Sequence, residues 1–202
     1  MLGGNMTAGL QLPNAEHRLF RARHGQPNTL IPRDAYDRQR TMISGYREAV
    51  ETLAKTALAS KTHDDQLVYP IVFLYRHLFE LSLKAIVQTS GHRVAVVPNF
   101  TDHRLSPRWK EAFIVISEMQ LCGLEGEEYV GPLLKEFDEN DKRSFNFRYH
   151  TDTKGQLQGL LNHEFDLLGF VEAADAVGNY LDLILGMVWE REEYLTEAEV
   201  SI

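Results

Sequence analysis

The sequence predicts an all-α bundle of about five helices, and three observations predict it. Apolar residues recur at helical spacing along most of the chain from residue 34 onward. One stretch, Tyr69 to Val87, is apolar around most of a helical circumference, the mark of a core helix. The connections between periodic stretches are short or medium in length, which suits neighbouring helices of a bundle.

Residues 1–33 lack periodicity and carry Gly3, Gly4, Gly9, Pro13, Gly25, Pro27 and Pro32, so they read as an extended or mobile arm. His17, Arg18, Arg21, Arg23, His24 and Arg33 make this arm basic. Two readings apply: a solvated arm lying on an acidic body, or a contact for nucleic acid or a partner. Residues 34–202 form the bundle. A first helix starts at Asp34, which follows Pro32 and suits an N-cap, and runs to about Ser60. Its apolar face comprises Tyr36, Met42, Ile43, Tyr46, Val50, Leu53, Ala54 and Ala57.

The central helix spans residues 64–90. A strand fits this run less well, because the run is longer than strands usually are and is bounded by Asp64, Asp65 and Gly91. At about 100° per residue, Arg76, His77, Glu80 and Lys84 share an arc of roughly 80°. Four ionisable groups on a core helix need partners, because unpaired buried charge is expensive. Arg76 to Glu80 and Glu80 to Lys84 are both i,i+4, so the stripe is either a salt-bridged seam or a functional pocket using Arg76 and His77.

Gly91 to Pro107 is a loop, and a third helix spans about Pro107 to Leu121 with Trp109, Phe113, Ile114, Ile116 and Met119 apolar. Gly123 and Gly126 end it. A shorter helix runs from Glu127 to about Asn140, with Val130, Leu133, Leu134 and Phe137 apolar. The segment from Asp141 to Gly155 has no clear period and mixes charge with Phe145, Phe147 and Tyr149. A loop of this length inside a compact domain is usually functional or packed on the body. Its complementarity predicts packing over the stripe: Glu80 needs a cation, Arg76 needs an anion, and the loop offers Arg148, Asp141 and Asp152. The last helix runs from about Asn162 to Tyr194, with Phe165, Leu168, Val171, Ala174, Val177, Leu181, Ile184, Leu185 and Val188 inward and a solvated acidic end. Tyr180, Met187 and Trp189 lie outside that row and predict an exposed apolar patch suited to self-association.

The 202 residues suffice for one domain with a proper core. The formal charge of −8 argues against broad, non-specific nucleic-acid binding but leaves room for a local basic site. The single cysteine, Cys122, excludes an intramolecular disulfide and suggests a reducing compartment, the cytoplasm. Its neighbours Met119, Leu121 and Leu124 suggest a buried small hydrophobe. No apolar run reaches the roughly 18 residues of a membrane span, and Met1 to Met6 do not read as a secretory signal.

Several chemical templates fail. The sequence has no phosphate-binding Gly-rich loop followed by Lys-Ser/Thr, no His-Glu-x-x-His, no cysteine pair and no Gly-x-Ser-x-Gly. No metal site or cofactor is therefore expected. One spacing remains: Arg143 and His150 bracket six residues. An arginine and a histidine brought together can cleave RNA without metal, the histidine moving protons and the arginine stabilising the charge growing on phosphorus. Lys142, Arg143, Arg148, His150 and Lys154, with Phe145, Phe147 and Tyr149 interleaved, offer cations for phosphates and rings for unpaired bases.

Four segments occur in a telling order: Tyr75-Arg-His-Leu-Phe-Glu-Leu-Ser-Leu-Lys-Ala85, Asp102-His-Arg-Leu105, Glu136-Phe-Asp-Glu-Asn-Asp141 with Ser144, and Phe147-Arg-Tyr-His-Thr-Asp-Thr-Lys-Gly155. Together they resemble an uncharacterised bacterial branch of the HEPN superfamily (higher eukaryotes and prokaryotes nucleotide-binding domain) over about residues 34–190. The resemblance implies a four- or five-helix bundle, usually dimeric, often encoded with toxin–antitoxin or phage-defence systems and hence with a possible antitoxin or defence partner protein. Active members are metal-independent endoribonucleases whose Arg-x(4–6)-His motifs meet at the dimer interface, a role that falls here on Arg143 and His150. The resemblance also covers Arg76, His77, Glu80, Asp138, Asp141, Arg148, Tyr149 and Asp152, which suggest one polar network between central helix and loop, either a site or a structural latch. Two functions follow: an RNA-acting protein, with Arg143, His150, Arg76, His77 and Glu80 as catalytic candidates and Lys142, Arg148, Tyr149 and Lys154 as RNA contacts, or a non-catalytic bundle that dimerises or binds a partner.

Overall fold

A computed structural model describes residues 19–20, 29–59, 65–99, 101–141, 147–149, 151, 154–155 and 164–200. The expected arm, apart from its few described positions, and the pair Arg143 and His150 lie outside the described residues. The architecture is all-α: α1 (Ala35–Ala59), α2 (Val68–Ser90), α3 (Leu105–Glu118), α4 (Glu127–Asn140) and α5 (Leu167–Val200), with no strand among the described residues. No helix among the described residues is long and apolar enough to cross a membrane.

Helix α2 is the hub, packed against α1, α3 and α5. Of its 23 residues 13 are buried, which is why its sequence is apolar on most sides rather than on one stripe. Tyr75, Leu78, Phe79, Leu83 and Ile86 form the centre of the core, met by Val50 and Ala54 of α1, Ala112 and Ile116 of α3, Leu134 of α4 and Leu181 and Ile184 of α5. Burying one such Leu or Ile contributes about 1.5–3 kcal/mol.

Carboxylates set the N-terminal ends of α1 and α5. Asp34 accepts hydrogen bonds from the amides of Tyr36 (2.8 Å) and Asp37 (3.1 Å), as an N-cap should. Asp166 does the same for α5 through the amide of Gly169 (3.0 Å). That cap delays the start of α5 to Leu167, leaving Phe165 and Leu168 exposed where an inward position was expected. Helix α3 has no local side-chain cap, and it begins at Leu105, ahead of the expected Pro107, for a reason given below.

Other expectations need correction. Met42 and Ile114 point outward, beside Ile43 and Ile116, which are buried. Cys122 is exposed, with its sulfur 3.2 Å from the Ser117 hydroxyl. Tyr180 is buried and donates its hydroxyl to Glu127 (2.9 Å), while Trp189 packs on the core and, edge-on, against Tyr36. Tyr180 and Trp189 are thus taken up by the fold, and Met187 is half-buried. Helix α5 continues past Tyr194 to Val200, and its acidic end is not simply solvated: Arg93 binds Glu192 (2.9 Å) and Glu199 (2.7 Å), and Ser90 binds Glu192 (2.7 Å).

Candidate functional site

The i,i+4 spacing of the α2 stripe aims Arg76 and Glu80 at the point where α3 begins and α4 ends. Arg76 is 0% exposed. Its Nε donates to the Asp141 carbonyl (3.1 Å) and its Nη2 to the His103 carbonyl (2.9 Å). Carboxylates of Asp138, Asp141 and Glu80 surround it at 3.6, 3.6 and 3.7 Å. Burial pulls the Arg76 pKa down, and the three carboxylates oppose that pull. The guanidinium stays charged. So enclosed a group cannot meet a substrate, and Arg76 acts as a tie between α2, α4 and the 102–105 turn.

Asp138 has a second task. It accepts the amides of Leu105 (2.8 Å) and Ser106 (2.7 Å), and so caps α3 from across the fold. This cap is why α3 starts early. Arg108, also buried, donates to the Asp102 carbonyl through Nε (3.1 Å) and Nη2 (2.8 Å) and pairs with Glu111 (2.6 Å). Asp102 is in turn clamped by Arg104, whose hydrogen bonds hold its carboxyl down at about 2. Two buried arginines thus grip consecutive carbonyls, at Asp102 and His103, and fix the backbone between them.

The network reaches solvent beyond Glu80, which is buried, through His103. One oxygen, Oε1, accepts from Lys84 Nζ (2.5 Å) and lies 2.8 Å from Nδ1 of His103. Burial alone would raise the Glu80 pKa, but the hydrogen bonds from Lys84 and His103, with their charges, leave it below the ordinary carboxylate value. Glu80 is thus met by the Lys84 ammonium, by the His103 ring and by the Arg76 guanidinium. The His103 side chain is 59% exposed.

One turn back along α2, His77 sits in an aromatic setting. Tyr46 of α1 meets its ring edge-on at 4.6 Å and Phe73 stacks on it at 5.9 Å. Burial pushes its pKa down; Lys84, Arg148 and Arg76 push the same way, and Glu80 opposes them. The Arg148 guanidinium stands over the same Phe73 ring at 5.4 Å. Phe147 is buried and its ring lies 6.3 Å from that of Tyr69, while Tyr149 is 52% exposed. The described part of the 141–155 segment thus packs on α2 at two places, on the stripe through Asp141 on Arg76, and ahead of the stripe through Phe147 and Arg148 on Tyr69 and Phe73.

Of the sequence candidates, Arg76 and Glu80 come together, and His77 and Arg148 share Phe73. Lys154 is exposed; Lys142, Arg143, His150 and Asp152 lie outside the described residues. Sequence reasoning missed the roles of His103 and Arg108. His103 falls within the Asp102–Leu105 segment of the resemblance but has no role assigned there, and nothing local marks Arg108, because their key contacts run to a carboxylate on another element and to a backbone carbonyl. Among the described residues no group of His, Cys, Asp or Glu is placed to hold a metal ion. No protein-family model, curated protein or solved structure matches the chain.

Proposed function

We propose that this chain is an RNA-acting, HEPN-like protein, a cytoplasmic metal-independent endoribonuclease of a toxin–antitoxin or phage-defence system that works as a homodimer. The observation that carries the reading is the surface around Phe73. A guanidinium, Arg148, stands 5.4 Å from that ring, His77 stacks on the same ring, and Tyr149 is exposed next to Arg148. Cations beside accessible rings suit single-stranded RNA, since stacking contributes about 1–3 kcal/mol per base. The resemblance adds Arg143 and His150 as the reacting pair, with Lys142 and Lys154 as further phosphate contacts.

The test is incubation of the purified protein with total RNA in chelator, beside Arg143→Ala, His150→Ala and His77→Ala variants. Cleavage by the wild type that is lost with Arg143 or His150 supports the motif, and loss with His77 alone moves the chemistry to α2. Light scattering at micromolar concentration should give twice the 23.1 kDa chain mass.

A second reading is a non-catalytic bundle that dimerises or binds a partner. It is favoured by the enclosure of the Arg76 cluster, whose carboxylates and carbonyls turn toward the fold, and by the net charge of −8. A wild type that neither cuts nor binds RNA and is harmless on expression establishes this second reading.

A further inference from the structure

We infer that His103 is a catalytic proton-transfer residue of this protein, with Glu80 as its positioning partner and Lys84 as the adjoining phosphate contact. The inference rests on the RNA-cleaving reading above and adds to it a residue that the Arg143–His150 motif does not contain.

The geometry has three parts. First, the imidazole is oriented. Glu80 Oε1 lies 2.8 Å from Nδ1. A carboxylate only accepts, so in the neutral ring the proton sits on Nδ1 and the lone pair is left on Nε2. A carboxylate that fixes the tautomer of a histidine in this way is the arrangement that makes the opposite nitrogen a base. Second, the backbone that carries the ring is held from inside. Arg76 grips the His103 carbonyl, Arg108 grips the Asp102 carbonyl, and Asp138 caps the helix that starts two residues later. Preorganisation of this kind is what a reacting group needs. Third, the ring is accessible, with 59% of the side chain exposed, although every residue that holds it is buried or nearly so. Stability does not ask for an exposed imidazole on a rigid mount.

Lys84 shares Oε1 with His103, so an ammonium and an imidazole flank one oxygen. Among the described residues the Lys84 ammonium donates to Glu80, and an ammonium carries three donors, so the same group can also meet a phosphate. In the reaction, Nε2 of His103 takes the proton of a ribose 2′-hydroxyl. The 2′-oxygen bonds to the adjacent phosphorus, and the bond from phosphorus to the 5′-oxygen breaks. That oxygen leaves with its electron pair and takes a proton from water, and His103 returns its own proton to solvent. The products are a 2′,3′-cyclic phosphate end and a 5′-hydroxyl end, with no net oxidation or reduction.

The experiment combines cleavage and nitrogen NMR on the full chain. His103→Ala should lose cleavage by about 100-fold or more, the range for a missing general base, and added imidazole should restore part of it. In the wild type the ¹⁵N pattern of the His103 ring should be that of the Nδ1–H tautomer, and Glu80→Gln should shift that pattern, which a merely structural role for Glu80 would not do. A wild type that cuts RNA while His103→Ala cuts equally well overturns the inference and leaves the ribonuclease reading standing. An Nε2–H tautomer overturns it whatever the activity. A wild type that does not cut RNA overturns the ribonuclease reading, and the inference with it.

Discussion

Glu80 is held from two sides, and the sides differ in kind. On the inner side Arg76 is fully enclosed, with two carbonyls and three carboxylates for partners. On the outer side His103 touches Glu80 through Nδ1 and shows most of its ring to water. A charge taken out of water costs several kcal/mol unless it is paired, so the inner side is an all-or-none assembly. An exposed imidazole costs little to keep and little to lose. The contrast separates what holds the fold from what the fold presents.

Variants at the two ends should separate accordingly. The largest effect belongs to Arg76→Ala, which strands Asp138, Asp141 and Glu80 around a void. Urea unfolding should show a loss of about 3–5 kcal/mol, as for other buried pairs broken from one side. Asp138→Ala comes next: it removes the α3 cap, worth about 1 kcal/mol, together with one partner of Arg76. A loss well under 1 kcal/mol would show that water replaces the cap without cost.

Acid sharpens the comparison through His77. Its folded-state pKa lies below the ordinary 6.5 because burial disfavours the imidazolium. As pH falls past 6.5 the unfolded chain takes up the proton first, so stability should decline from pH 6.5 down to the folded value and level off below it. His77→Phe should flatten that part of the stability–pH curve. Glu80 acts in a lower window. Its folded pKa is below the ordinary 4.5, so its contribution is present above 4.5 and is lost as pH falls through the folded value. The smallest effect on stability belongs to His103→Asn, expected within about 0.5 kcal/mol of the wild type, as for an exposed position.

Much of this fold could be read from the sequence, because its signals are local. The apolar circumference of α2, the Asp34 cap and the bounds of α4 depend on residues within a few positions of each other. The stripe was legible too: i,i+4 spacing brings Arg76 to Glu80 and Glu80 to Lys84. What could not be read is non-local. The cap of α3 comes from Asp138, 33 positions away, and the Arg76 bond to the His103 carbonyl spans 27. Backbone carbonyls leave no trace in a pattern of side chains, so nothing in the sequence singles out Arg108. Tyr180 and Trp189 looked surplus to the inward row of α5 because their neighbours, Glu127 and Tyr36, belong to other helices.

The central claim is that stability and activity divide at Glu80, and one measurement tests it most directly: the rate of RNA cleavage per folded molecule in Arg76→Lys and His103→Asn, each scored against its own melting curve. The division predicts that Arg76→Lys melts well below the wild type, since a lysine cannot reproduce the two directed guanidinium bonds, and keeps part of its cleavage per folded molecule, because the Glu80–His103 pair remains while the His103 carbonyl loses one of its holders. It predicts that His103→Asn melts like the wild type and has lost cleavage. A His103→Asn protein that cleaves at the wild-type rate, or that melts as early as Arg76→Lys, would contradict the account.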